Sequence, residues 1–489
     1  MRTIIICLFA FICQSQLLAS DLYIGVAETD ITPDLPAALM GQFYLRIAHE
    51  VNTPLTANVI ALESREGGDG LDTTIFVSCD LVYIPNQIIQ LVRARVSGLI
   101  PRFNTNKIVL SATHTHTSPV LEDESDEPNF MYKLPTTGVT QVGDYRKYLV
   151  DRIANAVVVA WKARTKGSVT WGLRRAAIPY NRRVVYKDGE AVMYGSAAKP
   201  EFDNLEGYED HDVHSLFFWD NKDQLLGMSV DVACPAQEVE GDRRVDADYW
   251  HPVRQKLKAE YGSQLVVAGW IGAAGDQSPH PIYRKPALER MRKLSNTSRM
   301  EDIAQRITSA VIRTLEIVSD TKTADVQLIH KVQRLDLPMR KITVQEYVDS
   351  KRISNEAAKE IANDPKKSDQ LNAKMTWYGD IVKRFEYQKT NHYPQYNTEI
   401  HVIRLGDIAI CTNQFELFTD YGIQIQARSK ALQTLVVQLA GPGTYLPTSK
   451  AVRGGGYSAV CQSNSVGPEG GQILVETTLE MLNELWPEE

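Results

Sequence analysis

Residues 107–119 read "KIVLSATHTHTSP", a short apolar run that gives way to hydroxyls and two imidazoles. A β-branched run of this length is the mark of a buried strand, and the polar residues after it mark the strand's mouth. In an extended segment, residues two apart point to the same side. His114 and His116 are therefore predicted to project together into a cleft at the strand's end, where an α/β sheet presents side chains to a ligand. Two imidazoles on one side read either as a metal ligand with a neighbouring donor or as two half-buried histidines satisfied by the backbone.

Outward from this stretch, strands and helices alternate. "LYIGVAE", "ANVIALE", "TTIFVSCD", "SLFFWD", "LGMSVDVA", "QLVVAGW", "HVIRLGD" and "IAICTN" read as strands, most of them bounded by Gly, Asp or Asn. "NQIIQLVRARVSGLI", "YRKYLVDRIANAVVVAWKA", "DYWHPVRQKLKAEY" and "MEDIAQRITSAVIRTLEIV" carry apolar residues at three and four spacing and read as helices. The pattern predicts an α/β fold: a single large domain with a mixed, mostly buried sheet flanked by helices. Residues 341–390 break the rhythm. They are charged and helical, and are expected to form a solvated surface excursion without chemistry.

Composition narrows the function. The formal charge of −7 has no basic block to offset it, which argues against a nucleic-acid partner and points to a small substrate. Residues 1–20, "MRTIIICLFAFICQSQLLAS", have an early arginine, an apolar run and small residues at their end, the layout of a cleaved secretory signal. A secreted or periplasmic location is expected, with residues 21–489 as the domain and no transmembrane segment. Of six cysteines, Cys7 and Cys13 fall in the signal, and Cys79, Cys234, Cys411 and Cys461 are too scattered for a disulfide scaffold.

A second segment adds chemistry. "AAGDQSPHP", residues 273–281, lodges Ser278 between a Gly-Asp turn and a proline. "GVAETDITP", "SATHTHTSP", "YNRR", "GDQSP" and "TYLPTSKAVRGGGYSA" follow one another in that order along the chain. This ordered set resembles the catalytic domain of the neutral/alkaline, non-lysosomal ceramidases, zinc-dependent amidases that cut the N-acyl bond of ceramide. The resemblance runs from about Gly25 to the C-terminus. It implies that His114 binds Zn2+, that His116 lines the pocket and contacts substrate oxygen, that Arg182 faces the site, and that Ser278 is the serine often assigned as nucleophile. It further implies zinc ligation by Glu416 in "NQFELF" and Tyr445 in "TYLPT", with Tyr457 in "GGGYSA" as a further pocket tyrosine.

The departures are as informative. Where the family has its second zinc histidine this chain reads "VDVACPAQE" and offers Cys234, which reads either as a thiolate ligand or as a small buried residue at a strand end. His251 and Asp248 on the following helix are substitutes if Cys234 turns away. "NQFELF" replaces a Pro-Gly-Glu-Phe form, so Glu416 reads as a ligand or as a helix N-terminal charge. The family's additional C-terminal immunoglobulin-like domain is not expected in this chain.

Two mechanisms follow from the resemblance. In one, metal-activated water attacks the amide, His116, Arg182 and Tyr457 stabilise the oxyanion, and Ser278 positions water or substrate. In the other, Ser278 attacks. The first is expected, because no histidine with an acidic partner is placed by sequence to activate Ser278. The expected substrate is a small amphipathic or acyl-amide molecule. A hydrolase for another amide or ester, and a non-catalytic binding homologue, are the alternatives.

Overall fold

The structure is a computed structural model and describes residues 20–127 and 130–486; the expected signal, residues 1–20, lies outside them except for Ser20. Eight strands form one sheet: β1 (Asp21–Asp30), β2 (Thr56–Glu66), β3 (Asp69–Cys79), β4 (Ile108–Ala112), β5 (Thr165–Arg175), β6 (Asp212–Asp220), β7 (Leu225–Val232) and β8 (Val266–Ile271). Their order across the sheet is β8-β7-β6-β5-β1-β2-β3-β4, and only the outermost pairs, β7 with β8 and β3 with β4, run parallel. A second sheet holds β9 (Leu328–Pro338), β10 (Gln395–Leu405), β11 (Ile408–Thr412) and β12 (Gln433–Val437) in that order.

The strand sequences explain why there are two sheets. Along β2, Val59 and Ala61 enter one apolar cluster, and Ile60 and Leu62 enter another. Neither face of such a strand tolerates water, so its sequence reads as a continuous apolar run rather than an alternating one. On one face Ile60, Leu62, Phe76, Leu216, Phe218 and Trp270 meet Leu328, Ile403, Leu405, Ile410, Leu435 and Val437, which packs the sheets face to face. On the other face lie helices α1 (Asn86–Leu99) and α2 (Val142–Lys162), with α3 (Trp250–Tyr261), α4 (Lys285–Ser295) and α5 (Arg299–Val318) following in the chain. Ile88, Val92, Leu149 and Ile153 cover β2 to β4, and Val253, Leu257, Ile303 and Ile307 cover β6 to β8. The far side of the second sheet is closed by α8 (Thr419–Arg428) and α10 (Pro468–Asn483), after α6 (Val344–Asn363), α7 (Ser368–Thr390) and α9 (Ser449–Gly454) in chain order. The layering is helix, sheet, sheet, helix. Each fully buried Leu, Ile or Phe in these clusters contributes about 1.5–3 kcal/mol relative to exposure.

The expected solvated excursion is a helical hairpin, α6 and α7, and one of its faces is engaged. Thr343 and Glu346 form a reciprocal capping box that starts α6. From α7, Arg384 donates to the carbonyls of Cys461 and Asn464, and Asn372 donates to that of Met131. The Trp377 ring stands 5.4 Å from Phe43 and 6.2 Å from Tyr457, both edge-on or tilted. Charge patterning located the hairpin but hid this contact, because one tryptophan in a segment read for its charge carries no periodic signal of its own.

At the mouth of β3, Asp80 is fully buried and takes both Arg254 guanidinium nitrogens, at 2.7 and 3.0 Å, together with the Thr56 N–H at 2.8 Å. It ties α3 to the strand that neighbours the histidine loop. Removing one partner of a buried pair strands the other charge. Asp80→Ala is therefore expected to cost about 3–5 kcal/mol, read as a lowered urea midpoint against the parent protein.

Candidate active site

The histidine loop is held by its threonines. Thr113 donates to Asp80 at 3.2 Å, and Thr115 and Thr117 both donate to the Asp246 carbonyl, at 2.7 and 2.8 Å. With hydroxyls anchoring one side, the imidazoles are presented on the other. The geometry differs from the expected extended run, since His114 sits at φ 65°, in the left-handed region. This twist brings the two rings to 4.8 Å, nearly perpendicular, with their Nε2 atoms 3.3 Å apart. Gly41 makes room for it: a Cβ there would lie 2.6 Å from His116 Cγ.

His114 Nδ1 lies 2.7 Å from the Val82 carbonyl. A carbonyl only accepts, so Nδ1 carries a proton and Nε2 is the ring nitrogen turned away from the backbone. That nitrogen faces Glu416 Oε2 at 3.4 Å and His116 Nε2 at 3.3 Å. Burial pushes the Glu416 carboxyl upward, but His114, Arg182 and Tyr445 together hold it below the ordinary range. Burial drives His116 well below the usual imidazole value, so it stays neutral at pH 7. Two ring nitrogens and a carboxylate thus face one point, an arrangement suited to a cation or a shared proton there.

The rest of the site is assembled from the far half of the chain. Glu416 and Tyr445 belong to two-residue strands that pair in parallel, residue opposite residue. Gly275 lets the serine turn pack against Glu416, whose carbonyl would be 2.3 Å from any Cβ at that glycine. Asp276 accepts from Asn181 at 2.9 Å and from the Thr419 hydroxyl at 2.7 Å, which stitches "YNRR", "GDQSP" and α8 together. Side chains diverge along the extended arginine segment. Arg182 donates to the Tyr445 hydroxyl and to the Gly275 carbonyl, each at 2.9 Å. Arg183, fully buried, makes a two-pronged pair with Glu206 and donates to the carbonyls of Tyr457 and Gly455, clamping the loop that carries Tyr457. The Tyr457 ring lies 5.5 Å from Tyr445, edge to face, and burial pushes its phenol up to about 12.

Ser278 is one hydroxyl removed from this cluster. Its Oγ lies 2.9 Å from the Tyr194 hydroxyl and accepts the His280 N–H at 3.1 Å. Among the described residues, no histidine ring nitrogen is hydrogen-bonded to it. Tyr194, Gln237, Glu240 and His280 were not singled out in the sequence. Gln237 Nε2 lies 2.6 Å from His116 Nε2, and Glu240 lies 3.7 Å from His116 Nδ1 through one oxygen and 3.7 Å from His280 Nε2 through the other. The acidic run after Cys234, "QEVEGD", was the signal for Gln237 and Glu240, and His280 follows Ser278 within "AAGDQSPHP".

Cys234 is not brought to the histidines. It is fully buried in the apolar cluster beneath α3 and α5, with its Sγ 3.7 Å from the Pro235 carbonyl. Burial, reinforced by Asp248 and Glu238, raises its thiol well above the ordinary value, so a thiolate is disfavoured. The reading as a small packed residue is the one that fits. Asp248 is spent on the Val239 and Tyr249 N–H groups. Among the described residues no group of three or more His, Cys, Asp and Glu side chains converges as metal ligands. The donors that do face one another are His114, Glu416 and the Tyr445 phenol. All four cysteines of the described chain are free and buried.

Comparison with known proteins places the fold. No protein-family model and no curated protein matches the sequence. Among solved structures, the neutral ceramidase of Pseudomonas aeruginosa is similar with a TM-score of 0.70 at 15% identity, over 96% of this chain and 76% of that one. A ceramidase complexed with C2 is similar with a TM-score of 0.68 at 14% identity, over the same shares of the two chains. The chain therefore has the fold of the neutral ceramidase structures.

The packing of Cys234 predicts its reactivity. Alkylation of the native protein should leave Cys234 unlabelled whether or not a chelator is present, and labelling should appear only on denaturation, as read by peptide mass spectrometry.

Proposed function

We propose that this protein is an exported amidohydrolase that cleaves the N-acyl bond of ceramide or a related N-acyl lipid with the help of zinc. The observation that supports it best is the convergence of His114 Nε2, the Glu416 carboxylate and the Tyr445 phenol, with the Arg182 guanidinium against that phenol. Three protein ligands with an open position are the usual set of a catalytic zinc site, so the loss of Cys234 from the set leaves a competent one. Bound zinc would supply a Lewis acid and lower the pKa of a water.

The chain's own groups do the rest. The Val82 carbonyl fixes the His114 tautomer, the kind of outer contact that orients a ligand ring. Arg182 is held cationic: burial lowers its affinity for a proton, and Tyr445, Tyr194 and Glu416 more than restore it. A buried guanidinium aimed at the site is suited to the charge that develops on a carbonyl oxygen, and the Tyr457 hydroxyl can donate beside it. Neutral His116 adds a polar contact without adding charge. Ser278 Oγ accepts from the His280 N–H and pairs with Tyr194, whose phenol is raised chiefly by burial and is a poor base at pH 7. Ser278 is therefore read as a positioning group for water or substrate, not as the nucleophile.

Elemental analysis and turnover on a panel of N-acyl lipids, N-acyl amino acids and simple acyl esters test the reading. His114→Ala should lose both zinc and hydrolysis. His116→Ala should keep zinc while kcat falls about 100-fold or more. Full zinc in His114→Ala would overturn the ligand assignment, and turnover confined to esters or amino-acid conjugates would replace the lipid substrate.

A further inference from the structure

Amide hydrolysis needs a proton for the departing nitrogen, because an alkylamide anion is too basic to leave. None of the residues given a role so far supplies one well: His116 is held neutral, and the phenols are raised by burial. Beside His116 lies a cavity of about 620 Å³, lined among others by Tyr194, Glu240, His280, Lys285 and Arg299. Tyr194 connects its wall to Ser278, and Glu240 connects it to His116.

Glu240 is set in place with unusual care for a loop residue. The fully buried Arg46 guanidinium donates to the Glu240 carbonyl at 2.7 Å and to the His116 carbonyl at 2.5 Å, so one planar group fixes the two residues relative to each other. It also donates to the Asp242 carbonyl at 2.7 Å, and Gln42 adds a second donor to Glu240. Two residues upstream, Glu238 is paired with Arg299, which also donates to His280 Nδ1 at 2.7 Å. The carboxyl of Glu240 is left at the cavity wall with one oxygen toward each of two neutral imidazoles, at 3.7 Å, beyond hydrogen-bond reach. Among the described residues it has no arginine or lysine partner like that of Glu238, and burial raises it against the pull of Arg182, His114 and Arg46.

We propose that Glu240 is the general acid of the amidase reaction, a catalytic residue that protonates the leaving amine from the cavity side. The inference rests on the amidase reading above. As the C–N bond of the tetrahedral adduct breaks, its electron pair stays on nitrogen, and the Glu240 carboxyl gives that nitrogen its proton. The proton that the attacking water sheds passes to solvent, and the carboxylate left behind is returned to its acid form by a proton from solvent. One amide and one water become one carboxylic acid and one amine. The acidic segment that follows Cys234 thus acquires a role that Cys234 itself does not have.

The test compares two substrates with the same acyl group: an N-alkyl amide, whose nitrogen must be protonated to leave, and a p-nitrophenyl ester, whose phenolate leaves unaided. Glu240→Gln keeps the shape and removes the proton. Its kcat/KM on the amide should fall by about 100-fold or more, and by at least tenfold more than on the ester, with zinc content and melting temperature matching the parent. Glu240→Asp should recover part of the amide rate. Equal losses on the two substrates, or no loss on the amide, would overturn the assignment of Glu240 alone. A parent protein that cleaves the ester but no amide would instead overturn the amidase reading on which it stands.

Discussion

Arg46 is a charge buried without a carboxylate. Its two terminal nitrogens are satisfied by four carbonyls, those of Met40, His116, Glu240 and Asp242, while its buried Nε has no partner among the described residues. Placing a guanidinium in such a position is costly, and burial lowers its affinity for a proton, so the cost is offset only while all four acceptors stay in place. The consequence is geometric. Three loops that are far apart in the chain are bound to one rigid plane, and the histidine loop cannot move without the acidic loop. The pocket around His116 is organised about this one side chain, and the sheets and helices serve to deliver the loops to it.

The same logic of burial separates the two fates of polar groups in this protein. Glu416 is half-buried but faces His114, Arg182 and Tyr445, and so remains ionised. Cys234 is buried among Ile, Val and Trp side chains, with carboxylates as its nearest charges, and so remains a thiol. A metal ligand needs the first kind of surrounding. The surroundings of Cys234 are those of a small packed residue, even though a thiolate is in general a good zinc ligand.

The helical hairpin of α6 and α7 shows how a charged segment can still take part in a site. Most of its surface is solvated, as the charge pattern implies. Its one tryptophan packs with Phe43 and Tyr457, and Tyr457 in turn packs on Tyr445. An aromatic path thus links the hairpin to the candidate metal ligands. Phe43 is 41% exposed, so the path ends at the surface.

Local order was legible in the sequence because it depends on neighbours in the chain. The apolar runs gave the strands and helices, and two-sided burial of β2 can be read from "ANVIALE" alone. The alternation of Thr and His in "THTHT" marked which side anchors and which side serves, although the left-handed turn at His114 could not be read from it. The family resemblance implied Arg182, Glu416, Tyr445 and Tyr457, and contacts between neighbours join these to His114. Tertiary structure alone decided the direction of the Cys234 side chain, since a strand end fixes where a residue is but the packing of α3 and α5 fixes which way it turns. It alone decided that Glu240, His280 and Tyr194 join the site, through contacts between residues 46, 116, 194, 240 and 278 that no short-range pattern encodes. Such contacts are specified by the closing of loops over one another, and that closing depends on the whole fold being formed.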